Sequence, residues 1–424
     1  MPRSDSVENT LNIWYLSAHD QPRGRSSRTY DFARELYKKG HRVTMFTNSL
    51  CHWTHEDCLT SEEKWRIEEV DGIRVVWLKT LPYQGNGVRR GLNMISNAWR
   101  SLQVASVLAD TPDVVIGPSV PLGTGWAAMK IALRKKAGFV FEVRDVWPIA
   151  LVDDGGMSKR NPVYAVFRLM EKVLYRRADR ISSAMPYLTE HVAQSGADPG
   201  KIVWIPNGAA LDRFQGYDHY TGGKNGKLVV MYVGGFGQAH DVITIVHAAA
   251  ILRNQGQEGF RFVIIGNGPK KPACIQEAER LGLKNIEFRP PVSKSEVPRV
   301  QTESDVLVAC VLDSPIYRFG LNLNKMYDYF ASARPVLFSG VSRNDPVRES
   351  GAGFSIPPED PEAMAQALVK LLRMNQEHRV EMGRRGRDYV ARDYTMSILG
   401  GKMEQMLRDV VNLKRMRTGE DGRA

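Results

Sequence analysis

The stretch PIYRFGLNLNKMYDYFASARPV, at residues 315–336, organises this 424-residue sequence. It begins as a loop, because Pro315 and Gly320 both interrupt regular structure. Helical character starts near Asn324 and ends before Pro335, which lacks the N–H group that a continuing helix needs. The apolar residues that follow predict a strand. The stretch therefore predicts a loop, a short helix and a strand in direct succession.

The start of this helix carries groups that bind a nucleotide diphosphate. The first N–H groups of the helix, from Asn324 onward, lie at the positive end of its dipole, which suits a phosphate. Lys325 adds a point charge for another phosphate oxygen. Asp328, one turn further on, offers carboxylate oxygens that accept hydrogen bonds from ribose hydroxyls. The same pattern is also typical of an ordinary amphipathic helix after a loop, so both interpretations stay open.

The composition is that of a globular protein, with 43% hydrophobic and 25% charged residues. The length is that of about two or three domains. The net charge of +11 predicts an anionic partner: a nucleotide, a nucleic acid or an anionic membrane surface. Four cysteines are too few for a disulfide scaffold and favour a reducing compartment. Without a secretory signal or a long apolar span in the sequence, we expect a cytoplasmic protein that can lie on a membrane.

The N-terminal half alternates strands and helices after a polar terminus at residues 1–10. A strand at 11–17, a basic loop at 19–27, a helix at 29–39 and a strand at 41–47 form a βαβ unit, which predicts a parallel sheet. Further strands are predicted at 73–78, 113–116, 139–145, 180–184 and 201–208, and further helices at 89–109, 127–136 and 163–177.

Open parallel sheets bind ligands at the carboxyl ends of their strands. The basic loop follows one such end, and the strand at 139–145 reaches the same edge. We therefore expect a ligand crevice there. The candidate side chains at this edge are His19, Asp20, Arg25, Arg144, Asp145 and Trp147.

The pattern restarts after a polar, glycine-rich stretch at 215–227, which we interpret as a linker. This places an N-terminal domain at 11–214 and a C-terminal domain at 228–395. The last helix and tail, at 396–424, are expected to return to the N-terminal domain. The whole chain thus predicts an α/β protein of two Rossmann-like, doubly wound domains that face a cleft.

Glycine turns follow two strands of the C-terminal half. Gly234, Gly235 and Gly237 lie between a strand and a helix, where small residues let backbone N–H groups approach a pyrophosphate. The spacing differs from G-x-G-x-x-G, so it is a weak sign of a nicotinamide cofactor, and no P-loop motif is present. Gly266 begins a second turn, which either borders a nucleobase or is a plain βα turn.

Two other stretches allow a functional and an ordinary interpretation. The stretch 48–70 is predicted to be irregular. Its segment CHWTHEDC contains two cysteines and two histidines: Cys51, Cys58, His52 and His55. Their spacing differs from that of common zinc sites, so a loop is the favoured interpretation. The helix at 89–109 combines arginines with apolar residues. It can lie on anionic lipid, although a core-facing helix with solvated arginines is the favoured interpretation. Its apolar residues are Leu92, Ile95, Trp99, Leu102 and Val107.

Five segments in order resemble the retaining glycosyltransferases of family four, which have the GT-B fold. They are GHRVT from Gly40, IPNGAALDRF from Ile205, YVGGFG from Tyr232, FVIIGNGP from Phe262 and NKMYDYFASARPV from Asn324. The resemblance spans about residues 11–410. The segments RDVWP, at 144–148, and YRFG, at 317–320, are similar to the bacterial polysaccharide and lipopolysaccharide branch.

The resemblance implies a nucleotide-diphosphate sugar, expected to be UDP-linked, bound mainly by the C-terminal domain. It also implies a lipid-linked or glycan acceptor bound mainly by the N-terminal domain, and transfer without a metal or other cofactor. Asp328 falls where the family has its second acid, the ribose ligand, whereas Gly320 replaces the first. Gln238 and His240 stand where the family has an arginine, which leaves Lys325 as the main phosphate ligand. The donor-binding candidates are Gly234, Gly235, Gly237, Gly266, Arg318, Asn324, Lys325 and Asp328.

On the acceptor side, the candidate catalytic residues are Asp145 and His19. The candidate acceptor-binding residues are Asp20, Arg25, Arg144 and Trp147. Two alternatives stay open: a sugar-nucleotide epimerase of the same architecture, and a silent nucleotide-sugar-binding partner of an assembly complex. Nucleic-acid binding is disfavoured because no recognised nucleic-acid motif is present. Attachment to the inner face of the inner membrane, through basic surface, is an added hypothesis.

Overall fold

Two compact units make up the chain in a computed structural model. The first unit consists of Met1–Val152, Gly156–Pro206 and Met396–Ala424, and the second of Asp153–Gly155 and Asn207–Thr395. The structure describes residues 10–22, 28–51, 56–83, 85, 87–222 and 227–418.

The described part of the first unit is a sheet with helices on both faces. The strand order is β3-β4-β2-β1-β5-β6-β7-β8, and every neighbouring pair is parallel except β3 and β4. The strands are β1 Asn12–Leu16, β2 Arg42–Asn48, β3 Trp65–Val70, β4 Ile73–Leu78, β5 Val114–Pro118, β6 Gly138–Val143, β7 Arg180–Ser183 and β8 Ile202–Trp204. The helices are α1 Arg28–Lys38, α2 Val88–Val107, α3 Leu122–Lys135, α4 Ile149–Asp153, α5 Pro162–Arg177 and α6 Thr189–Gln194.

The second unit has a parallel sheet of order β11-β10-β9-β12-β13-β14. Its strands are β9 Leu228–Val233, β10 Phe260–Ile265, β11 Ile286–Arg289, β12 Val306–Cys310, β13 Val336–Ser339 and β14 Gly353–Ile356. Its helices are α7 Ile243–Asn254, α8 Lys271–Arg280, α9 Val297–Gln301, α10 Asn324–Ala331, α11 Pro346–Ser350, α12 Pro361–Arg373 and α13 Gln376–Asp393. One apolar cluster covers each face of this sheet.

The last helix, α14, spans Met396–Thr418 and belongs to the first unit, where it packs on α1 and on β6. Glu404 on this helix pairs with Lys39 and with buried His41, each at 3.3 Å. The stretch interpreted as a linker, 215–227, lies in the second unit where it is described. The chain passes from the first unit to the second after Pro206, rather than after residue 214.

The prediction of two doubly wound α/β domains is confirmed. The prediction that 48–70 is irregular is wrong, because β3 occupies Trp65–Val70. This edge strand is mostly exposed, so the strong apolar alternation of a half-buried strand is missing from its sequence. Helix α13 was not predicted for a similar reason, because its sequence is rich in arginine and acids and has few apolar positions.

The favoured interpretation of α2 as a helix with its apolar residues in the core is wrong. Its buried residues are mainly polar: Asn93, Asn97 and Ser101 face the sheet together with Val104 and Ala105. These side chains satisfy one another and their neighbours. The Asn93 amide donates to Thr80 Oγ1 at 2.9 Å, and Thr124 Oγ1 donates to Asn97 Oδ1 at 2.8 Å. Five apolar side chains of α2 are exposed: Val88, Leu92, Ile95, Trp99 and Val107.

Candidate active site

The carboxyl edge of the second unit's sheet collects most of the predicted donor residues. The glycine turn of 234–237 follows β9, and the turn that begins at Gly266 follows β10. The chain leaves β12 through a 3₁₀ turn, Pro315–Phe319, and then enters α10. Because β10, β9 and β12 are neighbours in the sheet, these three segments meet at one edge.

The two glycine turns touch, and this contact requires glycine. Gly266 has a φ of +144°, and a Cβ atom there would lie 1.8 Å from the carbonyl oxygen of Gly234. The Lys271 ammonium donates to the Gly266 carbonyl at 2.7 Å, which fixes the second turn. Backbone therefore lines this part of the edge, and the close packing of the two turns depends on glycine at 266.

Helix α10 begins next to these turns, and among the described residues no side chain caps its N terminus. The loop before it is held in place by asparagines. The N–H of Asn207 donates to Asn322 Oδ1 at 2.9 Å, and the N–H of Leu321 donates to Asn344 Oδ1 at 2.6 Å. The uncapped end keeps N–H groups available at the positive end of the helix dipole.

Tyr329 fastens α10 to the end of β9. Its buried hydroxyl donates to the Val233 carbonyl at 3.0 Å and accepts from the Val233 N–H at 2.9 Å. This double contact places Lys325, one turn earlier on the helix, directly beside the first glycine turn. A Cβ atom on Gly234 would lie only 2.6 Å from Lys325 Nζ. The fold thus brings the predicted phosphate lysine and the predicted phosphate turn together.

Lys325 is a half-buried ammonium that Tyr232 supports. Its Nζ donates to Tyr232 Oη at 2.7 Å and lies 4.2 Å from the centre of the Tyr232 ring. Among the described residues no carboxylate forms an ion pair with it. Burial lowers the pKa of Lys325 to about 8, since loss of water disfavours the charged form. A cation held in this way is suited to an incoming anion.

His240 accepts from the Gly237 N–H through Nδ1 at 3.3 Å. The positive charge of Lys325, followed by burial and by Lys270, lowers the pKa of His240 to about 3. The imidazole is therefore neutral at physiological pH and does not replace the missing arginine as a charge. Lys270 donates to the Gln238 carbonyl at 2.7 Å, so its ammonium also lies along this turn.

The remaining donor candidates have partners of their own. Asp328 is buried and forms an ion pair with Lys294, a residue that follows β11. Arg318 pairs with Asp153 at 2.6 Å within the second unit. Gly320 has a φ of +104°, a conformation that favours glycine over the acid usual at this place.

The first unit carries its own cluster at the carboxyl edge of its sheet. Asp20, only 1% exposed, accepts from the guanidinium of Arg144 at 2.7 and 3.3 Å and from the N–H of Thr29 at 2.9 Å. The Asp20 carboxylate therefore caps the start of α1 and orients Arg144. Burial opposes the charge of Arg144, but nearby Asp20 and Glu142 raise its pKa.

A second buried network, which the sequence interpretation missed, lies next to this pair. Glu142 on β6 is fully buried and accepts from Tyr15 Oη at 2.7 Å and from Arg28 Nε at 3.0 Å. Arg28 also donates to the carbonyls of Ile205 and Pro206 at 2.7 and 2.8 Å. Burial and the carboxylate of Glu142 raise the pKa of Tyr15. Nothing in the local sequence indicates these partners, which are more than 100 residues apart.

The other acceptor-side candidates are arranged around that cluster. Asp145 is exposed after the end of β6, and its backbone carbonyl accepts from Ser119 Oγ at 2.8 Å. Trp147 is half-buried with its ring 6.2 Å from Phe167, and His19 is half-buried just before Asp20. Arg25 lies outside the described residues, as do His52 and His55 of the predicted zinc alternative. Among the residues that are described, no group of His, Cys, Asp and Glu side chains forms a metal site.

Comparison with known proteins identifies the family. Residues 23–208 match the glycosyl transferase 4-like domain, and residues 227–374 match the glycosyl transferases group 1 domain. The chain is 22% identical over 290 residues to the putative colanic acid biosynthesis glycosyl transferase WcaI of Escherichia coli (strain K12), with 65% of this chain and 70% of that protein covered. It is 24% identical over 301 residues to the probable glycosyltransferase WbjE of Pseudomonas aeruginosa, with 68% and 72% covered. The chain is a family-four glycosyltransferase of the bacterial polysaccharide branch.

The glycosyltransferase has the GT-B fold. Its structure is similar to that of HepE from Anabaena, which was solved in complex with UDP and glucose. The TM-score is 0.66 at 13% identity, with 94% of this chain and 99% of that chain covered. The family and the fold predicted from the five segments are therefore confirmed. The roles of the individual site residues in this glycosyltransferase stay predictions.

Sequence interpretation found most of the second unit's edge but missed two side chains there. Tyr232 is not among the predicted donor residues, although its hydroxyl accepts a hydrogen bond from Lys325. Lys294 lies in the loop between β11 and α9 and is likewise not among the predicted donor residues. A Ser-x-x-Glu pattern at 293–296 was the available signal that this loop is ordered, because it predicts a capping box.

Proposed function

We propose that this glycosyltransferase transfers a sugar from a UDP-linked donor to a lipid-linked or glycan acceptor. The observation that carries the proposal is the position of Lys325, an unpaired cation among the described residues, between the uncapped end of α10 and the turn at Gly234. Such a site suits a diphosphate. The complex of HepE with UDP and glucose supports the choice of uracil as the base.

In this proposal the transfer retains the configuration at the anomeric carbon and needs no metal. The bond between the sugar and the diphosphate breaks, and Lys325 together with the α10 N–H groups stabilises the charge of the departing diphosphate. The acceptor hydroxyl attacks from the same face, and its proton passes to a diphosphate oxygen. Asp145 and His19 are the candidates that orient the acceptor hydroxyl.

The first test is a thermal-shift screen of the purified protein against UDP, GDP, ADP and their common sugar conjugates, with a chelator present. Stabilisation by UDP and UDP-sugars is the expected result. Sugar release that depends on an added acceptor then separates a transferase from an epimerase, which would convert UDP-sugar alone, and from a silent binding partner. Stabilisation by none of the nucleotides would contradict the proposed donor site.

We further propose that the enzyme attaches to an anionic membrane surface. Helices α2, α3 and α5 pack on one face of the first unit's sheet and carry ten lysines and arginines. Their single acid, Glu171, is fully buried and pairs with Arg168 and His191. On α2, the exposed side chains Ile95 and Trp99 lie along one stripe, which suits the interface of a bilayer. No helix in the described ranges is long and apolar enough to span a membrane.

Replacing Ile95 and Trp99 together by glutamate is expected to reduce flotation with vesicles that contain phosphatidylglycerol by more than tenfold. Each apolar side chain that leaves the bilayer costs about 1.5–3 kcal/mol, and the new acids meet anionic lipid. Val341→Glu is the matched control, because Val341 is similarly exposed but lies in the second unit. Flotation of the double variant equal to wild type, or flotation insensitive to salt, would contradict the membrane proposal.

A further inference from the structure

Lys294 lies outside the predicted donor set but contacts the predicted ribose ligand. It is in the loop between β11 and α9, and its ammonium forms an ion pair with Asp328 on α10. The two side chains are only 21% and 8% exposed. A charge pair that is so withdrawn from water is not an ordinary surface salt bridge, because each ion has lost much of its hydration.

The loop that carries Lys294 is held in shape. The N–H and the hydroxyl of Ser293 both donate to Glu296 Oε2, at 3.0 and 2.6 Å, and the N–H of Glu296 donates back to the Ser293 carbonyl at 3.1 Å. These bonds close a turn over residues 293–296 directly before α9. Lys294 sits between these two residues, so its backbone is ordered before any ligand binds.

The position of this loop at the sheet edge points to the nucleoside part of a donor. The strands β11, β10 and β9 are neighbours, and their carboxyl ends carry, in that order, Lys294, the turn at Gly266 and the turn at Gly234. Lys325 lies at the last of these turns, and Asp328 lies one turn further along the same helix. A diphosphate at Lys325 therefore places its nucleoside toward Gly266, Asp328 and Lys294.

We infer that Lys294 is a nucleoside-recognition residue of the donor site and acts as a pair with Asp328. This inference rests on the proposed function. One carboxylate oxygen of Asp328 holds Lys294, and the other accepts a hydrogen bond from a ribose hydroxyl. The Lys294 ammonium has three N–H donors, of which Asp328 takes one, so the others donate to oxygen atoms of the ribose or of the base.

Calorimetric titration of the full-length protein with UDP and with inorganic pyrophosphate tests the pair. Lys294→Met is expected to weaken UDP binding about tenfold, the scale of one charge-assisted hydrogen bond, and to leave pyrophosphate binding unchanged. Lys294→Arg keeps the charge and is expected to retain most of the UDP affinity. Lys284→Met is the matched control, because Lys284 is an exposed lysine of the same unit.

Asp328→Asn completes a double-mutant cycle with Lys294→Met. The losses of UDP affinity are expected to be less than additive, because each variant disrupts the same pair. Unchanged or tighter UDP binding by Lys294→Met overturns the inference, as does an equal loss for UDP and pyrophosphate or strict additivity. These outcomes leave the proposed function standing, whereas wild-type protein that binds no UDP at all overturns both. If Lys294→Met does not fold, Lys294→Gln, titrated with UDP and with pyrophosphate, decides by the same criteria.

Discussion

Asp20→Ala is expected to lower the free energy of unfolding of the first unit by about 3–5 kcal/mol, the cost of breaking a buried ion pair from one side. The substitution removes the acceptor of two guanidinium hydrogen bonds from Arg144 and of one N–H bond from Thr29. Arg144 then keeps its charge in a place with little water, and the start of α1 loses its cap. The acceptor-binding role of Asp20 stays a prediction, and its contacts with Arg144 and Thr29 add this structural role.

All eight tryptophans lie between residues 14 and 204, so tryptophan fluorescence during urea unfolding reports on the first unit alone. Asp20→Asn is the matched control. It keeps an oxygen for the Thr29 N–H but loses the charge, and an intermediate loss is expected. Arg144→Met with Asp20→Ala should recover part of the stability, because no buried guanidinium remains unpaired. A loss below about 1 kcal/mol for Asp20→Ala, the scale of an exposed ion pair, would show that Asp20 does not hold Arg144 and would favour a direct role with the acceptor.

The sequence was sufficient for the fold because the decisive signals are local. Short apolar strands that end in glycine turns and continue into amphipathic helices predict a doubly wound sheet without knowledge of distant contacts. The start of α10 near Asn324 was predicted for the same reason, because the loop before the helix and Pro335 after it lie within one short stretch. The resemblance to family four then added the order of the two domains.

Two kinds of feature could not be predicted from the sequence. One is the pairing of side chains that are far apart in the chain, and the other is which face of a helix is buried. Lys294 and Asp328 are 34 positions apart, and Asp20 and Arg144 are 124 apart, so only the folded chain brings them together. Helix α2 illustrates the second limit. Periodicity shows which residues share a face of a helix, but it does not show whether that face points inward. Buried asparagines that satisfy one another, such as Asn97, reversed the expected orientation.

Lys325→Met is expected to weaken UDP binding by about 1.5–3 kcal/mol, since it removes a charge-assisted contact to the diphosphate. The same substitution is expected to stabilise the donor-free protein at pH 7. Wild-type protein keeps a half-buried ammonium that has no carboxylate partner among the described residues, and methionine of similar length removes that cost. Lys325→Arg retains a charge at the same place and serves as the control for UDP affinity.

The lowered pKa of Lys325 makes the free energy of unfolding depend on pH. The pKa of Lys325 is about 8 in the folded protein and 10.5 when unperturbed, so the unfolded chain binds more protons between these values. The unfolding free energy of the wild type therefore rises with pH across that window, and the advantage of Lys325→Met is largest below pH 8 and shrinks above it. UDP affinity of the wild type should fall over the same window as the ammonium loses its proton, and the variant should show neither change. Hydrogen exchange of α10 and UDP calorimetry at pH 7 and pH 9.5 measure the two effects. A variant that loses UDP affinity and stability together at pH 7 would mean that Lys325 supports the fold instead of being held ready for an anion.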